Sequence, residues 1–314
     1  MTRGNLKAYL LFLTCIILFP LLFGGSSYTV SIGLFSGINA LVALGLSILM
    51  GYAGQISLGQ AGFYGIGAYV SAILSMQFGI PVVFSVLLAT AASALAAIIL
   101  AIPALRLKGH YLAVATLGFG EIINIVLNEW GPGGPSGFGD IPHFSFFGHT
   151  LDSTNGYFYL VWGIVALVML FSFNLIDSRI GRAFRAIHDS EPASNAMGVD
   201  VSVLKIKVFV LSAVYAALAG GLYAHYISFV SPGSFSLFHS ILVLMMVVVG
   251  GINSLWGAVA GSIFITVLPE LLRKFEEFDV LAYGLILTLS LLFFRKGLVP
   301  LLVEKMKGWK THAH

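Results

Sequence analysis

The chain has 314 residues, of which 58% are hydrophobic and 9% charged, with a formal net charge of +3 and a mean hydropathy of +0.98. Soluble domains carry roughly 25% charged residues to wet their surface, so this composition excludes a water-covered globule and makes lipid the surrounding medium. The length holds about ten spans of roughly 20 residues. No Pro-rich linker, low-complexity tract or long charge block divides it, so residues 1–314 read as a single transmembrane domain.

The first apolar run, 8–23, follows Arg3 and Lys7. It lacks a small-residue cleavage site before Gly24 and further spans follow at once, so it reads as a retained anchor rather than a signal peptide. Its Cys15 is the chain's single cysteine, which leaves no disulfide framework and reads as a small apolar side chain. Further runs are expected at 30–50, 58–77, 81–104, 110–128, 157–176, 206–228, 239–252, 255–272 and 280–294. The Gly-rich run 58–77 and the short run 239–252 are candidates for broken or re-entrant segments. The fold class is therefore an all-α polytopic bundle of about 8–10 transmembrane helices.

Lys and Arg concentrate at the cytoplasmic ends of spans. With the N-terminus inside and ten crossings, Arg3, Lys7, Arg106, Lys108, Arg179, Arg182, Arg185, Lys205, Lys207, Arg295, Lys296, Lys305, Lys307 and Lys310 all fall inside. Only Arg273 and Lys274 fall outside, beside Glu276, Glu277 and Asp279, and the long loop 129–156 has no Lys or Arg. A miscounted span would destroy this separation, so both termini are expected in the cytoplasm.

Residues 51–69, GYAGQISLGQAGFYGIGAY, mix six glycines with Gln55, Ser57 and Gln60. Non-helical backbone at membrane depth survives only where protein or a water-lined cavity satisfies it. The stretch is thus a candidate lining for a polar path; the competing reading is a small-residue packing face. A second glycine-broken stretch, Gly250–Gly257, contains Asn253. Ser57-Leu58-Gly59-x-Ala61-Gly62 faintly echoes Ser254-Leu255-Trp256-Gly257-Ala258-x-Ala260-Gly261, and paired interruptions point to the site of a repeat-built transporter. Glu121 and Asn124 stand one turn apart in the run 110–128, while Glu270 and His225 lie near span ends. Intramembrane acids are functional candidates because lipid exposure costs on the order of 3 kcal/mol; for Glu121 an interhelical hydrogen bond is the alternative.

The segment 177–207 is the longest cytoplasmic excursion. Residues 181–189 suit a short helix, Ser190 an N-cap, Pro192 the first turn of a second helix, and Gly198 its end. The result is a helix-turn-helix finger presenting Ala193, Ala196 and Met197 between arginines, suited to docking on a soluble partner. A solvated loop obeying only the orientation rule is the competing reading. No Gly-Lys pair exists, so the chain has no Walker A loop and cannot drive uphill transport by its own ATP hydrolysis. The histidines form no H-E-x-x-H, and one cysteine builds no zinc constellation. Gly134-Pro135-Ser136-Gly137 matches the G-x-S-G of intramembrane serine proteases, but it lies among prolines in the exterior loop, where a kinked turn is the better reading.

GYAGQISLGQAGFYGIGAY, GRAFRAIHDSEPASNAMGVD, KVFVLSAVYAALAGGLYAHYISFVSPGSF and SILVLMMVVVGGINSLWGAVAG, in that order, closely resemble the permeases of high-affinity branched-chain amino acid ABC importers of the LivM type. The resemblance runs from about residue 35 to 300, with Pro192 and the GPGGPSG loop as departures. It implies a second homologous permease in a heterodimer, two ABC ATP-binding subunits inside, an extracytoplasmic amino-acid binding protein, and a bacterial or archaeal plasma membrane. No nucleic acid is expected, and no cofactor or metal on this chain, ATP and Mg²⁺ residing on the partner subunits. The family's coupling segment maps onto Gly181, Arg182, Arg185, Glu191, Ala193 and Gly198.

The leading expectation is a non-enzymatic permease subunit for leucine, isoleucine and valine, with Gln55, Ser57, Gln60, Glu121, Asn124 and Asn253 as substrate-path candidates. Urea, short amides and other amino acids are alternative solutes. An ATP-independent transporter or channel is a rival class, which would more often place coupled carboxylates in its spans.

Overall fold

The computed structural model describes residues 3–23, 26–105, 107, 109–146, 149–151 and 153–272, together with 284 and 288. The expected span 280–294 and the basic and acidic residues beyond 272 lie outside the described residues, as do Arg106 and Lys108.

The described chain is a helical bundle. In order come α1 (Arg3–Phe23), α2 (Ser27–Ser47), α3 (Gln60–Gln77), α4 (Val82–Ala104), α5 (His110–Trp130) and α6 (Thr154–Asp177). There follow α7 (Arg179–Asp189), α8 (Glu191–Ala196), α9 (Val201–Ile227), α10 (Leu237–Gly250) and α11 (Leu255–Leu272). Each expected run from 8 to 272 is a helix, with ends displaced by a few residues, in some cases because a side-chain cap decides them. Ser153 accepts from the Gly156 N–H and starts α6 three residues early; Asp200 accepts from the Val203 N–H and starts α9 five residues early. The segments running 27–52, 82–104, 110–130, 154–177 and 201–227 are long and apolar enough to cross a membrane. α3 has the length, but its Gly and Gln content keeps it outside that group.

Cross-contacts give the directions. Gly33 and Gly37 of α2 meet Phe158 and Trp162 of α6, so those helices run parallel. The Tyr9 hydroxyl donates to Ala166 O and Tyr159 donates to Ile17 O, so α1 runs antiparallel to α6 and starts on the face that carries α7 and α8. The opposite face carries the loop 131–153, where Phe138–Gly139 pairs antiparallel with Phe229–Val230 and Pro142 O is held by His225 Nδ1 at 2.7 Å. Trp162 Nε1 bonds Gly33 O and Tyr157 bonds Leu222 O, satisfying polar tips that hydrocarbon would penalise.

Glycine sets the closest helix pairs. A Cβ on Gly67 would sit 2.1 Å from Ala217 O, and one on Gly220 1.9 Å from Tyr64 O, so α3 and α9 touch backbone to backbone. α10 and α11 repeat this at Gly250 and Gly261, where an added Cβ would sit 1.9 Å from a facing carbonyl. In lipid, where water cannot drive helices together, such close approach supplies the dispersion contacts that hold a bundle.

Candidate functional site

The Gly-rich stretch is a break between two helices. α2 loosens into a π turn at Ile48–Tyr52, the chain then runs without regular structure through 53–59, and α3 begins at Gln60. Gln60 Nε2 donates to Ser212 Oγ at 3.0 Å. Ser212 lies eleven residues past the first residue of α9, about 16 Å along the helix at 1.5 Å per residue. The break therefore sits at membrane depth.

A second half-depth start faces it. α10 has 14 residues, spans about 21 Å and falls short of the ~30 Å hydrocarbon core. It is reached through a descending segment, 228–236, that includes the 3-10 turn Pro232–Phe235. The Ala61 N–H donates to Ser240 Oγ at 2.9 Å, and the His239 ring stacks on Tyr64 with centroids 4.7 Å apart. The first turns of α3 and α10 thus meet inside the bundle.

Around that meeting point lies a polar layer of Ser57, Gln60, Ser212, Ser240 and Thr116, all buried; Gln55, also buried, precedes it on the irregular stretch beside Gly54. Thr116 Oγ1 accepts from the Leu58 N–H at 3.0 Å, and Ser57 Oγ from the Gly59 N–H at 3.4 Å. Gln55 Oε1 and Nε2 and Gln60 Oε1 have no hydrogen-bond partner among the described residues. An amide buried without a partner costs roughly 2–7 kcal/mol, which keeps Gln55 and Gln60 as candidates for contact with a polar solute. The layer offers neutral donors and acceptors and no fixed charge, which suits a solute neutral overall.

The remaining path candidates lie elsewhere. Asn253 sits in the gap between α10 and α11, where its carbonyl accepts from the Tyr52 hydroxyl at 3.0 Å and Ser47 Oγ donates to the Ile252 carbonyl at 3.1 Å. The two glycine-broken stretches therefore touch, and Gly51 has no room for a Cβ beside Ile252 O at 2.1 Å. Asn124 is occupied structurally, donating to Pro232 O at 2.9 Å and accepting from Asn128. Glu121 is half-buried on α5, with no hydrogen bond or ion pair among the described residues.

The finger forms as its caps dictate. Ser178 caps α7, Ser190 accepts from the Ala193 N–H to cap α8, Pro192 falls in the first turn, and Gly198 leaves it at φ +80°. Gly181, Phe184 and Ile187 face inward, while Arg182, Arg185, Ala193, Ala196 and Met197 are exposed. Gly181 serves the turn itself, since a Cβ there would meet Ile176 O at 2.3 Å. Glu191 is paired with Lys205, tying α8 to the foot of α9.

Sequence reasoning missed His188. Its Nδ1 would lie 2.9 Å from a Cβ on Gly54, which adopts φ +68°, so the end of α7 rests on the irregular strand that leads to Gln55. Ser212, Ser240 and Thr116 were missed because a lone hydroxyl in an apolar run can bond its own helix, as Thr116 also does to Ala113 O. Ser136 is exposed in a three-residue 3-10 turn, with no histidine bonded to it among the described residues.

A family model for the permease component of branched-chain amino acid transport systems matches residues 28–294. The chain belongs to that family. The permease is 35% identical over 304 residues to the high-affinity branched-chain amino acid transport system permease protein LivM of Salmonella typhimurium, covering 89% of this chain and 72% of that one. It is 23% identical to a probable LivM of Methanocaldococcus jannaschii, covering 85% and 92% respectively. It is also 24% identical to the permease protein LivH of Salmonella typhimurium, over 80% and 88%. No solved structure matches the permease significantly. Family and helices together make it a multi-pass membrane protein and a transport subunit.

Proposed function

We propose that the permease forms one half of the membrane channel of an ABC importer for leucine, isoleucine and valine, in a bacterial or archaeal plasma membrane with both termini cytoplasmic. The observation that carries this is the seat of α7: a basic, partly exposed helix whose last turn presses on Gly54, six residues along the chain from the helix start at Gln60. A separate ATP-binding subunit gripping Arg182, Arg185, Ala193 and the exposed Met197 would move that strand directly, and with it the polar layer. Two such subunits carry the ATP and Mg²⁺; this chain binds neither. The absence of a Walker A loop supports that division.

A second, homologous permease completes the path. Only 17% of the most apolar stretch of α5 is buried within this chain, against 78% for α2, yet α5 carries Glu121. A carboxylate facing hydrocarbon is disfavoured by on the order of 3 kcal/mol, so a protein surface against α5 fits better than lipid. That Salmonella typhimurium has both a LivM and a LivH, each similar to this chain, supports a heterodimer. The loop face receives solute from a binding protein outside. Replacing Arg182 and Arg185 with Glu is expected to abolish uptake and uncouple ATP hydrolysis while the chain stays in the membrane. Unchanged leucine uptake by that variant would point to a transporter independent of ATP.

A further inference from the structure

A cavity of about 510 Å³ opens beneath α7, between the foot of α6, the π turn of α2 and the gap before α11. Small-molecule sites fall at about 300–1,000 Å³. One wall is apolar, formed by the buried Phe173 and Ile176. The remainder is charged: Asp177, Arg185 and Asp189 all line it. Asp177 is the last residue of α6 and Asp189 the last of α7. A carboxylate at a helix C-terminus is opposed by the helix dipole by roughly 0.3–1 kcal/mol. At Asp177 the end of α6 is offset by the start of α7, whose N-cap is Ser178, and Arg182 donates to the Asp177 carbonyl at 3.3 Å, so it is the two carboxylates themselves that offer acceptors to an ammonium. With them stands the Arg185 guanidinium, a group matched to carboxylates. The Tyr52 hydroxyl is within electrostatic reach of both Arg185 and Asp177, so acid and base face one small volume.

We infer that this cavity binds a zwitterionic α-amino acid with an apolar side chain: the ammonium toward Asp177 and Asp189, the carboxylate toward Arg185, the side chain on Phe173 and Ile176. The inference rests on the reading above, in which the α7 face is cytoplasmic and the solute is a branched-chain amino acid. The ligand is then the imported product. His188, which presses on Gly54, lines the same cavity, so an occupant sits under the joint between finger and bundle and holds α7 in place. The site is a product brake on transport. Its charges are exposed, so binding is weak, with a Kd on the order of 1 mM.

The test uses the complete importer in proteoliposomes, with external leucine labelled and internal unlabelled leucine varied. Wild-type uptake is expected to fall about twofold or more as internal leucine rises through a few millimolar. The Asp177→Asn and Phe173→Ala variants should keep the empty-vesicle rate and lose the inhibition. Equilibrium dialysis of the permease in nanodiscs gives a second reading: leucine binds, while isopentylamine and 4-methylpentanoate, each lacking one charged group, fail to compete. A wild-type rate indifferent to internal leucine, or variants inhibited and binding like wild type, overturns the inference. If empty vesicles take up no leucine at all, the transport reading fails, and dialysis still decides this one.

Discussion

Gly54 combines a φ of +68° with a neighbour, His188, that leaves no space for a methyl group. An Ala there meets two separate penalties, backbone strain of about 1–2 kcal/mol and a clash with the imidazole. Gly54→Ala is expected to lower the thermal midpoint and to weaken coupling between ATP hydrolysis and uptake. His188→Ala in the same chain should recover the clash component and leave the strain, a non-additivity of about 0.5–3 kcal/mol in a double-mutant cycle. Additive effects would show that the two residues do not bear on each other. The Lys205–Glu191 pair makes a different demand, because the lysine side chain is 9% exposed and the glutamate 30%. Lys205→Met removes the cation paired with this partly buried carboxylate and is expected to destabilise the finger by about 3 kcal/mol or less. Adding Glu191→Gln should restore most of that loss, read out as protease resistance of 177–200. From residue type alone Glu191 belonged to the coupling surface; only its neighbour across the turn reveals the ion pair.

At the scale of elements, the helices themselves were legible because long apolar runs in lipid have one economical backbone solution. The breaks were legible too: Gly51, Gly54 and Gly59, with Gln55 and Gln60 among them, cannot form an intact lipid-facing helix. The π turn at Ile48–Tyr52 was not legible, and neither was the packing of its Gly51 against the backbone of Ile252 from a distant segment. Nor was the depth at which α10 starts, which depends on Ala61 finding Ser240. Helix contacts through glycine carry a direct prediction. Gly220→Ala places a Cβ 1.9 Å from Tyr64 O, so α3 and α9 must separate. Yield of folded permease in detergent should drop sharply, whereas Gly163→Ala, with nothing within 4 Å of its Cβ, should be silent.

The whole molecule is asymmetric in what it covers. α2 is wrapped by its own chain, whereas α4 and α5 present Leu87, Leu95, Ile99, Ile122 and Ile125 outward. Lipid suffices for α4. α5 differs because Gly118, with nothing within 4 Å, and the half-buried Glu121 share it with those apolar residues. Cysteines at Ile122 or Ile125, in a Cys15→Ser background, are expected to crosslink to the second permease, while one at Ile99 should not. Crosslinking at Ile99 alone would move the interface to α4.

Low charge, the placement of Lys and Arg, the glycine-broken segments and the capping residues of the finger were enough, by themselves, to imply a membrane bundle with a docking element and a polar interruption. These are local or compositional properties, and lipid leaves the backbone few alternatives. Which polar side chains meet was decided by tertiary structure alone. Ser57 and Gln60 share a layer with Ser212, Ser240 and Thr116, Asn124 is held by a turn more than a hundred residues away, and His188 finds Gly54, because contact between distant helices depends on their depth and rotation, which no single segment encodes.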